Sequence, residues 1–348
     1  DLQNDLVSFI SFLEENIKNK EWHISYNGLA FDGQITQYII DNHYLWCDLK
    51  GCEIANIIYR YAQYCINKSN NKEFMDYPIW KMQVGQIDLF KLHHWDNPAK
   101  RSSLKWIQYS MDWQNILEMP IDHTAKIKTL EEIDTIIEYN VNDVKSTKEV
   151  FNRSKSLIKL RKELTDTYNI NLYSASEPRI SKELFGYYLS EKLNIPKRDL
   201  KQMRTHRTVI KVSDILLPYI TFTSQEFKTL HDRFKSLEID ATNLKGSFKY
   251  HIDYKSVKTH FGLGGAHGAA SKGVYESSDD MLIMSSDVTS FYPNLAIKNK
   301  WSPEHFPVDQ FCDQYEWFFE ERKKIPKSNP MNYVYKIILN STFGLSND

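Results

Sequence analysis

The sequence predicts a multidomain protein of mixed class, α/β and α+β, and three observations carry that reading. Segments whose apolar residues recur at helical spacing alternate with short apolar runs of strand length. A chain of 348 residues holds two or three domains at roughly 150 residues each. The C-terminal segment reads as two helices joined by a proline-containing turn.

In chain order, Leu2, Leu6, Phe9, Ile10, Leu13 and Ile17 fall at helical spacing, so residues 1–18 are expected to form an amphipathic helix with one buried face. Trp22 to Tyr26 reads as a strand running into Asn27-Gly28-Leu29-Ala30-Phe31-Asp32-Gly33, with a helix resuming at about Gln34. That arrangement would fix Asn27 and Asp32 near one sheet edge. Cys47 to Met82 is helical or irregular, and Gln86 to Phe90 reads as a second strand. Arg101-Ser102-Ser103-Leu104-Lys105-Trp106 mixes basic, hydroxyl and aromatic residues, which suits a phosphate and a stacked base but also a plain helix start.

Thr129-Leu130-Glu131-Glu132 is a capping box, with Leu130, Ile133, Ile136 and Ile137 as an expected buried stripe. Tyr139 and Asp143 lie one helical turn apart and share a face. They either position a water and a metal ion or form a hydrogen-bonded pair. Ser174 to Arg179 leads into a helix reaching about Leu193. The glycine-rich run Phe261 to Gly268 offers a backbone able to approach a phosphate, or a simple turn. Met281 to Met284 reads as a buried strand that delivers Asp287 to a sheet edge, ahead of a helix opened by Pro293. Asp287 there either holds a ligand or caps that helix. Last come a helix from about Gln310 to Lys324, a turn with Pro326 and Pro330, and a helix from about Met331 that carries Tyr333, Lys336 and Asn340 on one face.

The formal charge of -1, from 44 Lys+Arg against 45 Asp+Glu, argues against a uniformly basic nucleic-acid coat and leaves room for local basic grooves. Four cysteines do not make a disulfide framework, so a reducing compartment is expected. His43, Cys47 and Cys52 lack a paired Cys-x-x-Cys, and His93 and His94 lack a carboxylate at ligand spacing. Ordinary thiols and core or surface histidines are expected. With no signal segment and no apolar run of transmembrane length, a soluble, cytoplasmic protein is expected, in the host cytoplasm if viral. The chain opens on Asp1 rather than Met, as a fragment or trimmed chain would.

Four stretches now stand in order: Tyr26-Asn27-Gly28-Leu29-Ala30-Phe31-Asp32, Tyr139-Asn140-Val141-Asn142-Asp143, Asp287-Val288-Thr289-Ser290-Phe291-Tyr292-Pro293, and Lys336-Ile337-Ile338-Leu339-Asn340-Ser341-Thr342-Phe343-Gly344. Together they resemble the second and third exonuclease motifs and the A and B polymerase motifs of family B DNA polymerases, with the compact fingers of phage or viral types. The resemblance spans nearly the whole chain. It implies an RNase H-like 3′-5′ exonuclease domain over 1–160, a connecting region over 161–275, a partial palm over 276–308 and a helical-hairpin fingers over 309–348. The implied activity is DNA-templated DNA synthesis with 3′-5′ exonuclease proofreading. Its partners are primer-template DNA, dNTPs and a single-stranded DNA 3′ end.

By this resemblance, Asp287 and the Val288 carbonyl hold Mg2+ (Mn2+ being possible), which neutralises charge in phosphoryl transfer. The amides around Ser290 and Phe291 donate to the triphosphate. Tyr292 lies under the sugar, Lys336 and Arg322 grip the triphosphate beside Asn340, and Phe343 and Gly344 sit near the nascent base pair. Phe343 stands where the family usually has Tyr. In the exonuclease, Asp32 and Asp143 are the metal carboxylates and Tyr139 orients the water or the scissile phosphate. Asn27, Phe31, Ser103 and Leu104 contact the single strand, the last two through a Ser/Thr-Leu-x-x-hydrophobic motif. Gly264 and Gly265 match part of a Tyr-x-Gly-Gly loop that partitions the primer, with Gly262 in the Tyr position.

By the same resemblance, the family's first exonuclease motif and polymerase motif C are expected to lie outside these residues. Residues 1–348 alone are therefore expected to be nearly inactive, with a parent protein or second polypeptide supplying the missing motifs. The alternative is a non-catalytic nucleic-acid-binding remnant or one half of a split polymerase.

Overall fold

The computed structural model of the chain describes residues 2–122, 124–243, 248–263 and 265–345. Its elements, in chain order, are α1 (Leu2–Asn19), β1 (Trp22–Ser25), α2 (Asp32–Asn42), α3 (Gly51–Asn70), β2 (Gly85–Asp88), α4 (Leu89–Leu92), α5 (Leu104–Ser110), α6 (Leu130–Tyr168), α7 (Glu177–Leu193) and α8 (Lys197–Leu200). There follow β3 (Val209–Lys211), α9 (Gln225–Lys235), β4 (Glu238–Asp240), β5 (Tyr250–Tyr254), β6 (Val257–Gly262), β7 (Gly265–Ala270), α10 (Phe291–Asn299), α11 (Val308–Lys324) and α12 (Pro330–Leu345). This is the expected mixture of helix and strand, with helices dominant and the sheets small. The chain forms two units, Asp1–Tyr188 with Trp317–Asp348, and Leu189–Glu316.

In the first unit, α1 buries Leu13 and sets Leu6 and Ile10 against Ile39, Trp46 and Ile54. Phe9 stays exposed. β1 and β2 pair in parallel, with Ile24 opposite Ile87 and Ser25 opposite Asp88. Both strands deliver their last residue to the same edge. The second strand is shorter than expected: it ends at Asp88, whose carboxylate accepts the amides of Phe90 and Lys91 and so starts α4. Ile87, Leu89, Leu92, Ile107 and Val150 then form one core spanning β2, α4, α5 and α6.

The capping box of α6 forms as expected, Thr129 Oγ1 accepting the Glu132 amide while the Glu132 carboxylate accepts that of Thr129. The stripe behind it is not buried. Leu130 is 79% exposed, Ile137 54% and Ile133 40%. Periodicity marks a face without naming its cover, and α6 turns a different face inward: Asn142, Ser146, Val150 and Ser154, four residues apart. That face is a polar seam. The helical hairpin is present, its turn closed by Asn332 Nδ2, which donates to the carbonyls of Arg322 and Ile325 at the end of α11. Val334, Ile338 and Leu339 of α12 are buried, as is Phe318, whose ring lies 5.8 Å from that of Phe185.

The second unit has its own core, Val212, Phe234 and Ile239, with Leu230, Tyr250 and Phe261 packed against it. β3 pairs antiparallel with β4, and β5-β6-β7 form an antiparallel sheet. The glycine-rich run is therefore largely strand, with Gly262 opposite Gly265 at the hairpin end. Gly265 sits at φ 139°, where a side chain would be strained. Gly264 lies outside the described residues. The strand expected at Met281 to Met284 is absent: the run is irregular and exposed, Met284 by 80%. A strand exists only through a partner, and none of the described residues pairs with it. The segment instead folds on itself, Ser278 and Met281 exchanging both backbone hydrogen bonds. α10 follows as expected. Among the described residues no helix is long and apolar enough to cross a membrane.

Candidate functional site

The strand edge of the first unit organises the Tyr26 to Asp32 loop around a buried carboxylate. Asp88 is fully buried, and its oxygens accept the amides of Asn27 at 2.9 Å and Leu29 at 3.1 Å. Two loop amides that the parallel ladder leaves unpaired are thus satisfied by charge-assisted bonds. Burial dominates over these bonds and pushes the Asp88 carboxyl up to about 6. Asn27 consequently holds a left-handed conformation, φ 67°, which Asn tolerates. Gly28 passes so close to β1 that a Cβ there would meet Ser25 Oγ at 2.0 Å. The loop then opens α2 directly on Asp32, two residues earlier than expected.

Helix α5 joins this loop to α6. Tyr26 OH donates to Ser102 O at 2.5 Å, just ahead of Ser103, which caps α5 by accepting the Trp106 amide at 3.2 Å. From the inner face of α5, the fully buried Gln108 donates to Asp143 Oδ1 at 3.0 Å and to Ser146 Oγ at 2.7 Å. Lys105 lies over the Tyr139 ring at 5.8 Å and bonds Glu118 at 2.5 Å. The Tyr139 phenol is pushed up to about 12, first by burial and then by the neighbouring Asp143 carboxylate. Two stretches more than a hundred residues apart in sequence are thus tied to opposite ends of one seven-residue helix. Leu104, the first residue of α5, and Phe31, just ahead of α2, are half-buried. Ser103 acts here as a helix cap.

Neither Asp32 nor Asp143 belongs to an ion pair among the described residues. Asp32 retains exposed surface, yet the atoms crowding its carboxyl raise its pKa above the ordinary value. Two buried oxygens, Ser25 Oγ and Gln108 Oε1, have no hydrogen-bond partner among the described residues. Gln108 is the residue that bonds Asp143, and Ser25 borders, with Asp32 Oδ2, the small space beside Gly28. Uncompensated carboxylates with spare hard oxygen donors fit Mg2+ or Mn2+. No group of three or more His, Cys, Asp and Glu suited to a metal is assembled among the described residues.

The hairpin places Tyr333, Lys336 and Asn340 on the exposed face of α12, as their spacing requires. Tyr333 OH donates to Glu177, and Arg322 Nε approaches Asn332 Oδ1 at 3.4 Å. Phe343 is half-buried, and a Cβ at Gly344 would meet no atom within 4 Å. In the second unit, Asp287 and Val288 lie in the exposed irregular segment, so Asp287 neither ends a strand nor caps α10. Ser290 occupies the cap position in a left-handed conformation, φ 49°, and Asn294 Nδ2 ties the turn by donating to Thr289 O at 3.0 Å. Phe291 and Tyr292 are exposed, with ring centroids 5.6 Å apart.

The histidines found other roles. His93 bonds Ser154 Oγ at 2.8 Å and stacks on Trp95 at 4.3 Å, with its pKa lowered to about 4 by burial and by Arg161. Asp88 and Gln108 are the organising residues that the sequence reading passed over. The sole local hint was a carboxylate within the apolar Gln86 to Phe90 run. No family model, curated protein or solved structure matches this chain.

Proposed function

We propose that the chain is part of a family B-type DNA polymerase, in which the first unit carries a 3′-5′ exonuclease site and motif A with the helical hairpin serves DNA synthesis. The observation that carries the reading is the α5 bridge. It draws the Tyr26 to Asp32 loop and the Tyr139 to Asp143 face, named as one site by the ordered motifs, into a common hydrogen-bonded frame. An RNase H-like sheet is the finer fold this implies, and the parallel β1-β2 pair is compatible with it.

In this reading Asp32 and Asp143 hold Mg2+ or Mn2+, which when bound stabilises charge on the scissile phosphate. Tyr139, its phenol kept protonated by burial and by Asp143, donates a hydrogen bond to the attacking water or the phosphate. Asn27 and Phe31 orient the terminal nucleotides. On the hairpin, Lys336 with Arg322 neutralises the triphosphate of an incoming dNTP, a task for fixed cations. Asp287 and the Val288 carbonyl supply the synthetic metal site, with Ser290, Phe291 and Tyr292 on the nucleotide.

The test is 3′-end hydrolysis and primer extension by the intact protein. Asp143→Asn should remove hydrolysis, and Asp287→Asn should remove synthesis. Synthesis that survives Asp287→Asn would overturn the polymerase reading. A second reading, a non-catalytic nucleic-acid-binding module or half of a split polymerase, draws on the exposed, irregular Met281 to Thr289 segment. It predicts DNA binding with neither reaction.

A further inference from the structure

Helix α5 carries two large aromatic residues that its packing does not use. Ile107 and Gln108 face inward and are buried, while Trp106 is 59% and Tyr109 67% exposed. Their rings stack on each other, centroids 5.7 Å apart and planes 28° from parallel. Beyond Tyr109 lies a shallow cleft of about 530 Å³, open to solvent, walled by Tyr109, Trp113 and Ile116, with Ser110, Asp112 and Gln114 as its polar groups. That size suits a nucleotide-sized group. The approach to α5 is basic: Lys100 and Arg101 are exposed just before it, whereas Lys105 within it is engaged by Glu118.

We infer that Trp106, Tyr109 and the adjoining cleft hold an unpaired nucleobase of single-stranded DNA. An exposed aromatic pair gives bases a sequence-tolerant stacking surface, and neighbouring cations follow the phosphates. Duplex DNA keeps its base faces internally stacked and offers none to this surface. Asp112 and Gln114 supply an acceptor and an amide that can meet a base edge. The same helix borders the candidate site, because Ser102 O just ahead of it is tied to Tyr26 and Gln108 on its inner face is tied to Asp143. The inference rests on the nucleic-acid part of the proposed function and adds to it a base-holding subsite. It does not require catalysis.

The experiment measures binding of a fluorescent single-stranded oligonucleotide and of a blunt duplex of equal length to the 348-residue chain, in chelator so that no hydrolysis occurs. Trp106→Ala with Tyr109→Ala should weaken single-strand binding by at least about five-fold and leave duplex binding unchanged. Trp106→Phe with Tyr109→Phe should retain most of the affinity. Arg101→Ala should lower the salt dependence of single-strand binding by roughly 0.7 in logarithmic slope. Near-ultraviolet crosslinking of a 5-iodouracil strand to the unaltered chain, mapped by mass spectrometry, should label residues 104–116 and needs no variant. Unchanged single-strand affinity in the alanine variant, an equal loss for the duplex, or crosslinks only elsewhere would overturn the inference. Single-strand binding through Trp106 without Asp143-dependent hydrolysis would preserve it while refuting the nuclease reading.

Discussion

Asp88→Ala removes a fully buried carboxylate that accepts four backbone amides: Asn27 at 2.9 Å, Leu29 at 3.1 Å, Phe90 at 3.0 Å and Lys91 at 3.4 Å. A buried amide left unpaired costs about 1–3 kcal/mol. Counting only the two loop amides, the first unit should lose ~2–6 kcal/mol. Asp88→Asn keeps one acceptor oxygen and turns an NH2 toward the Leu29 amide, so it should cost less. The pH dependence separates the two effects further. Burial raises the Asp88 carboxyl in the native state from 3.8 to about 6, so the native state binds the proton more tightly than the unfolded state does. Its ionisation therefore removes stability as pH rises from about 4 to about 6, by up to ~3 kcal/mol. Asn at 88 does not titrate. Urea unfolding, read from hydrogen exchange of the 22–31 segment so that it reports the first unit, should show wild type losing ground to Asp88→Asn across that window. A gap independent of pH, or an alanine variant no less stable than the asparagine one, would show that Asp88 does not hold the loop in this way.

His93 pulls the other way: its native pKa of about 4 lies below the unfolded value, so it stabilises above about pH 6.5 and loses that contribution as pH falls toward 4. His93→Gln should flatten this acid loss in thermal melts, and the two opposing trends partly cancel in the wild type. Arg161 is buried with no hydrogen-bonded carboxylate among the described residues and donates to Ala175 O, Leu157 O and Leu92 O at 2.8, 3.0 and 3.1 Å. Arg161→Met should lower stability by about 2–4 kcal/mol in the same melts, because carbonyls of α4 and of the turn before α7 lose their donor. Gly28→Ala should cost about 1–3 kcal/mol by overpacking against Ser25. Most of that loss should return in a Ser25→Gly background, a recovery checked by a double-mutant cycle.

The parts of the fold that could be read from sequence were those fixed locally. Thr129 with Glu132 marked the start of α6, and Pro326 and Pro330 bracketed the hairpin turn, because caps and prolines act within a few residues. Contacts made at long range were illegible. Leu130, Ile133 and Ile137 have helical periodicity, but nothing in it shows that α6 buries the polar residues Asn142, Ser146 and Ser154 instead. Met281 to Met284 has strand composition, but pairing depends on a neighbour. The glycine-rich Phe261 to Gly268 run hid a strand, since glycine and alanine carry no alternating apolar pattern. Within the candidate site, Asp32, Tyr139 and Asp143 were found by type and spacing. Asp88 and Gln108 were not, because their partners lie about 60 and 35 residues away in sequence.

The most direct test of the proposed 3′-end nuclease site follows a 5′-labelled single strand incubated with the intact protein and Mg2+. Products should be shortened stepwise from the 3′ end, with the shortening abolished by chelator and slowed on the order of a hundred-fold or more by Asp143→Asn and by Asp32→Asn. No shortening by the wild type, or an undiminished rate in Asp143→Asn, would contradict the nuclease reading.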